Sequence, residues 1–395
     1  MKICGLVAEF NPLHYGHLHL ISQIKQQYNA VVCVLSGNFV QRGEPALLSK
    51  FARARAAVEC GCDLVIELPA PYSLSTAMFF ARGAVGLLHS LGVVQGLCFG
   101  SENGNMKQIN AIAALLETGL YKTALKEQLQ KGLPFATARQ NAVGLINPAA
   151  DLTLLQNPND ILGVEYCAAL QALQSPITPF CVKRIGPGHN SASSFKNLAS
   201  ATLLRERIRT GGEYKAFLPA ASLVAVEHAL QTGQIASIDY LDRAIVTYLR
   251  TATAAQLQRI PDVSEGLHNK LSIAANSYAT LQEIYEAVKS KRYSFARIRR
   301  IGLCGYLGIG FGMQQRPVPY CRVLGMNQTG AEVLSLAHKK ATVPLIASLK
   351  EAERLGDYAE QLALLEARCG DVYSMMLQKP TRGKTDYTTK LFKTF

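Results

Sequence analysis

Two imidazoles and a glycine stand together at His14-Tyr15-Gly16-His17, directly after the apolar run Ile3 to Val7. That is where a first β-strand hands over to a first helix. A helix N-terminus offers unpaired N–H groups and a partial positive charge, so it receives phosphate. Histidines there add donors that follow charge as it develops on a transferring phosphate. Asn11-Pro12 stops the strand and favours a turn just ahead of the pair. The chemistry this spacing implies is activation of a substrate with ATP. A second phosphate contact is expected at Ser200-Ala201-Thr202-Leu203-Leu204-Arg205, where Ser200 or Thr202 caps a helix and Arg205 adds a forked donor. Alone that segment is an ordinary capped helix; beside H-x-G-H it reads as part of the phosphate site.

The elements that must position these groups are legible as hydrophobic runs. Strands are expected over Ile3 to Glu9, Ala30 to Ser36, Asp63 to Leu68 and Gly96 to Gly100, with helices His17 to Tyr28, Leu48 to Cys60 and Ser75 to Leu91 between them. The unbroken apolar run Ala30 to Ser36 marks a strand buried on both faces. This alternation predicts an α/β fold with a doubly wound parallel sheet and right-handed crossovers. Ligands bind such sheets at the carboxyl ends of the strands. His14, His17, Ser36 to Gly43, Pro69 and Gly100 to Glu102 then face one crevice. Further helices are expected at Met106 to Thr118, Tyr121 to Lys131 and Ile161 to Leu173. A strand at Ile177 to Arg184, a Gly/Ser-rich loop at Gly186 to Ser194 and a helix from about Ser200 follow. Two domains are expected: residues 1–215, nucleotide-binding and catalytic, and residues 216–395, helical and basic.

The net charge of +13, from 41 Lys+Arg against 28 Asp+Glu, points to a polyanionic partner such as nucleic acid. With 49% hydrophobic and 17% charged residues, wholesale disorder is excluded. The RNA-binding expectation rests on Ala287 to Gly330, which contains no acidic residue. Lys289, Lys291, Arg292, Arg297, Arg299 and Arg300 are its candidate tRNA contacts, with Arg316 and Arg322 further on. Tyr293, Phe295, Tyr306 and Tyr320 are interleaved for base stacking, the plain alternative being a basic helix with core aromatics. Lys379 to Lys393 is a second basic stretch, expected as a mobile tail that joins the RNA. Lys50 and Arg53 share a helical face directed at phosphates or RNA, with Arg55 beside them; a solvated basic face is the alternative. Ten cysteines without C-x-x-C units, and no signal-peptide pattern, place the chain in the cytoplasm with reduced thiols and no metal site. No apolar run approaches the ~20 residues of a membrane span.

In order along the chain, GLVAEFNPLHYGH, LSGNFVQRGEPALLSK, CDLVIELP, LCFGSE, NPNDILG, KRIGPGHN and LASATLLR resemble the bacterial tRNA(Met) cytidine acetate ligases. That family sits in the H-x-G-H nucleotidyltransferase-like superfamily. The likeness continues into KSKRYSFARIRRI and YCRVLGMNQTGAEVLS, and so covers most of the chain. It implies a Rossmann-like nucleotidyltransferase fold and an ATP-dependent ligase. Such an enzyme activates acetate as acetyl-adenylate, releases pyrophosphate and acetylates N4 of the wobble cytidine in the anticodon of elongator tRNA(Met). It also implies ATP contacts from Leu6, Val7, Ala8, Glu9, Phe10, Asn11, Pro12, Leu13, His14, Tyr15, Gly16, His17, Leu18 and His19, joined by Gly100, Asn159 and Arg184. Phe10 and Leu13 depart from the Tyr and Phe of the family pattern.

The residues fit that chemistry. Acetate attacking the α-phosphate builds negative charge that His14 and His17, the catalytic pair, are placed to stabilise, with Arg184 and Arg205 in support. No side-chain nucleophile is needed. Mg²⁺ is expected with ATP through phosphate oxygens and water. Asp160 and Glu102 are outer ligands at most, ordinary structural carboxylates otherwise. The alternative function is a small-molecule adenylyltransferase of cofactor biosynthesis, against which stands the long basic extension beyond residue 215. The acetate-pocket walls, the group that takes the cytidine amine proton and the oligomeric state carry no sequence signature.

Overall fold

The computed structural model describes residues 1–184, 199–264 and 266–395. The apolar runs become strands β1 (Ile3–Ala8), β2 (Ala30–Ser36), β3 (Phe39–Val40), β4 (Glu44–Pro45), β5 (Leu64–Leu68), β6 (Gly96–Ser101), β7 (Thr178–Lys183), β8 (Cys321–Asn327), β9 (Leu345–Ile346) and β10 (Phe392–Thr394). The main sheet runs β10-β8-β5-β2-β1-β6-β7, with β9 paired to β8 and β3-β4 forming a separate hairpin. Pairing from β5 to β7 is parallel throughout, with β1 and β2 in register from Ile3↔Ala30 to Ala8↔Leu35. β8 pairs antiparallel with β5, and β9 and β10 pair parallel with β8, so these three strands run against the rest. All seven residues of β2 are buried, as a strand covered on both faces requires.

One face is covered by helices Tyr15–Lys25 and Lys50–Glu59, through Ile21, Ile24, Ala54 and Val58. The other is covered by Ala77–Ser90 and Pro158–Ala172, through Phe80, Val85, Leu88 and Val164. That second cluster continues without a break into Ile245, Leu249, Leu271, Ile284, Ile298 and Leu303 of the later helices. The sheet likewise crosses residue 215, since β8, β9 and β10 lie beyond it. The Gly/Ser-rich stretch expected at Gly186 to Ser194 lies outside the described residues.

Two basic segments depart from expectation. Lys50 and Arg53 are fully buried rather than turned to phosphates, and only Arg55 is solvated, paired with Glu59 at 3.0 Å. Lys50 Nζ meets Glu67 at 2.5 Å and also bonds Asp386; Arg322 bonds the same two carboxylates, Glu67 at 3.0 Å. Burial pulls the Lys50 ammonium down, but Asp386 and Glu67 outweigh it and hold it above its ordinary value. Glu366 completes the group, and burial together with Glu67 pushes its carboxyl well above the carboxylate range. A protonated Glu366 balances the charges: two cations against Glu67 and Asp386. The Lys379 to Lys393 stretch is therefore no loose tail. Asp386 seats it in the core, and β10 pairs with β8.

Candidate active site

His14 is the N-cap of helix Tyr15–Lys25, and the two histidines cap each other. His14 Nδ1 accepts Gly16 N–H at 3.1 Å, while His17 Nδ1 accepts His14 N–H at 3.3 Å. The rings stack with centroids 3.8 Å apart. Because both Nδ1 atoms accept, the proton of each neutral ring sits on Nε2, making each ring a donor at its far end. Gly16 is fixed by this closeness, since a Cβ there would lie 2.9 Å from the His14 ring.

The histidines open onto a cavity of about 390 Å³ at the carboxyl edge of the sheet, within the range of small-ligand sites. Leu6, Val7, Ala8, Glu9, Phe10 and Asn11 line it from β1 and its turn, and Gly16 and His19 from the first helix. Gly100, Asn159, Arg184, Ser200 and Arg205 converge on the same space. The other expected contacts stand behind this wall. Pro12 and Leu13 are buried beneath it, Leu18 packs into the core, Tyr15 is solvent-facing, and Thr202 accepts from Arg205 at 3.3 Å.

Each polar wall has a specific support. Ser200 caps helix Ala201–Thr210 by accepting Leu203 N–H. Arg205 donates to the Asn11 carbonyl at 3.0 Å, and burial lowers its pKa. Arg53 lies underneath, its guanidinium taking the carbonyls of Leu48, Glu9, Ser36 and Gly37 and so joining the ends of β1 and β2. Asn159 donates to Glu102 at 2.6 Å, and Asp160 is bonded by Ser101 and Asn157. Glu102 and Asp160 are thus engaged in structure. Among the described residues no cluster of three His, Cys, Asp or Glu could hold a metal ion.

Val40, Gln41 and Arg42, within the Ser36 to Gly43 segment expected at the crevice, line the cavity; sequence reasoning did not single out Phe80, Phe99, Leu162 or Tyr166, which line it too. Gln41 and Arg42 belong to the motif LSGNFVQRGEPALLSK; the aromatic and aliphatic members carry no signal separate from ordinary core. Of the six expected tRNA contacts, Lys289, Lys291 and Arg292 are exposed, and Arg292 donates to the Gly132 carbonyl at 3.0 Å. Arg297, Arg299 and Arg300 turn inward. Arg297 holds the Asp262 carbonyl at 2.8 Å, Arg299 holds Glu44 at 2.5 Å, and Arg300 binds Asp262 at 2.8 Å and the Gln41 carbonyl at 3.2 Å. Tyr293 and Tyr320 are core residues, not stacking platforms. All ten cysteines are free, and among the described residues no helix is long and apolar enough to cross a membrane.

A parallel sheet with a paired-histidine helix cap at its carboxyl edge defines a nucleotidyl transferase of the H-x-G-H class. The family described as HIGH Nucleotidyl Transferase matches residues 1–387. A tRNA(Met) cytidine acetate ligase of Caldanaerobacter subterraneus subsp. tengcongensis is 39% identical, each chain covered in full. That of Clostridium novyi is 37% identical over 88% of this chain and 90% of its own. The crystal structure of Thermotoga maritima TmcAL bound with alpha-thio ATP superposes with a TM-score of 0.92 at 30% identity, covering 100% of both chains. The chain belongs to the family of tRNA(Met) cytidine acetate ligases.

Proposed function

We propose that this enzyme activates acetate with ATP as acetyl-adenylate, releases pyrophosphate, and acetylates N4 of the wobble cytidine in the anticodon of elongator tRNA(Met). The observation that carries the reading is the mutually capped His14–His17 pair, which lines the cavity together with Arg184 and Arg205. Acetate attack on the α-phosphate builds charge on the phosphoryl oxygens and on departing pyrophosphate. Fixed N–H donors at a helix N-terminus stabilise that charge without reorganising. The Thermotoga maritima relative bound to an ATP analogue supports ATP as the co-substrate. Mg²⁺ entering with ATP would be held by phosphate oxygens and water, since Glu102 and Asp160 are already bonded, and would neutralise triphosphate charge. Lys289, Lys291 and Arg292, exposed on the helical part, are the residues we assign to tRNA phosphates. The protein is read as acting in the cytoplasm, where its substrates are.

The test is ATP consumption by purified protein with acetate, with and without elongator tRNA(Met), scoring N4-acetylcytidine in the digested RNA. Acetylated cytidine is expected only when acetate, ATP and tRNA are all present. His17→Ala should lower acetate-dependent turnover about 10²-fold or more with the fold retained. Pyrophosphate release with no RNA product would mark a small-molecule adenylyltransferase instead.

A further inference from the structure

Among the described residues lining the cavity, one is an acid. Glu9 stands just past the end of β1, where its Oε1 accepts Gln41 N–H at 2.8 Å, and its other oxygen has no hydrogen-bond partner among the described residues. Gln41 is the next observation. Its backbone is fixed on both sides, by Glu9 and by Arg300, which donates to its carbonyl at 3.2 Å. Its side-chain amide nitrogen is buried without a hydrogen-bond partner among the described residues. A buried amide N–H left unsatisfied is costly, and a ligand acceptor relieves it.

A carboxylate oxygen and an unfilled amide donor, on two residues joined by a backbone hydrogen bond in one cavity wall, complement a particular base edge. Cytosine presents the N4 amine as donor next to N3 as acceptor; uracil presents the reverse. We propose that Glu9 and Gln41 receive the Watson–Crick edge of the acceptor cytidine, with Glu9 as proton acceptor in acetyl transfer. The assignment rests on the acetyl-transfer reading above. N4 attacks the acetyl carbon and the N–C bond forms. The bond from that carbon to the adenylate phosphate oxygen breaks, AMP leaves with its electron pair, and the N4 proton passes to Glu9. Gln41 donates to N3 and fixes the plane of the base. The surroundings suit a base: burial raises the Glu9 carboxyl against the pull of the Gln41 N–H and of Arg205, Arg42 and Arg53, and Tyr166 also faces it.

The experiment compares two rates in the full-length protein: acetate-dependent ATP–pyrophosphate exchange and single-turnover acetyl transfer to tRNA. E9Q keeps an oxygen for Gln41 N–H but cannot accept the proton. Its ratio of transfer to exchange should fall about 10²-fold or more. The wild-type transfer rate should rise with pH as Glu9 ionises, and E9Q should lose that rise. Q41M should raise the KM for tRNA roughly tenfold, the size of one lost base contact, and alter exchange less. An equal fall in both rates for E9Q overturns the assignment, because Glu9 would then serve ATP; so does an unchanged ratio. Wild-type protein that makes acetyl-adenylate but no acetylcytidine overturns the parent reading, and this one with it.

Discussion

Single residues set the charge state of both the site and the core. Glu366 shows how. Its proton is held by burial and by Glu67, whereas in the unfolded chain the carboxyl ionises near its ordinary 4.5. Above that pH the native state binds more protons than the unfolded state, so this group makes stability fall as pH rises. Glu366→Gln keeps an oxygen for Ala70 N–H, which Glu366 accepts at 2.6 Å, and has no proton to lose. The difference in unfolding free energy, variant minus wild type, should therefore grow from pH 5 to pH 8 in denaturant titrations. A flat difference would place the proton on another member of the cluster. None of this was legible from sequence. Lys50 and Arg53 sit three residues apart on a helix, the ordinary pattern of a solvated face. Asp386, arriving from far along the chain, joins Glu67 in holding Lys50 inward.

At the scale of elements, the helix Phe295–Leu307 carries the β3–β4 hairpin on its back. Arg299 holds Glu44 and Arg300 holds the Gln41 carbonyl. The hairpin rests so closely that a Cβ on Gly43, at φ +75, would lie 2.5 Å from Arg300 N. Arg300→Ala frees that carbonyl and leaves Asp262 without its cation. Loss of such a half-buried charged contact should cost about 1–3 kcal/mol in thermal unfolding, and kcat/KM for acetyl transfer should drop about tenfold as Gln41 loosens. Gly43→Ala should be worse on both measures, by strain and by clash. Unaltered kinetics in Arg300→Ala would show that the hairpin holds itself. The strands and helices of the nucleotide half were readable because their apolar periods are long and uninterrupted. The inward turn of Arg297, Arg299 and Arg300 was not, since a basic run looks the same whether it meets RNA or carbonyls.

For the whole molecule, the residues that read as two halves share one sheet and one apolar cluster. Charge and motif placement gave each half an expected role, but did not show that β8 returns beside β5 and β10 beside β8. β10 has only three residues and the pairing of both strands is non-local, so no local period announces it. Residues 1–215 expressed alone should show no cooperative thermal transition by circular dichroism, whereas the full chain should melt in one. A sharp transition in the fragment would mean that β5 tolerates an empty edge. The same return has a consequence during synthesis. Glu67 and Arg322 are 255 residues apart. At about 5–20 residues per second, a ribosome leaves the nascent β5 edge bare for on the order of 10–50 s. Such an edge is a template for wrong pairing. The growing chain is thus a natural client for chaperones, and its yield in a cell should depend on how long that edge goes unguarded.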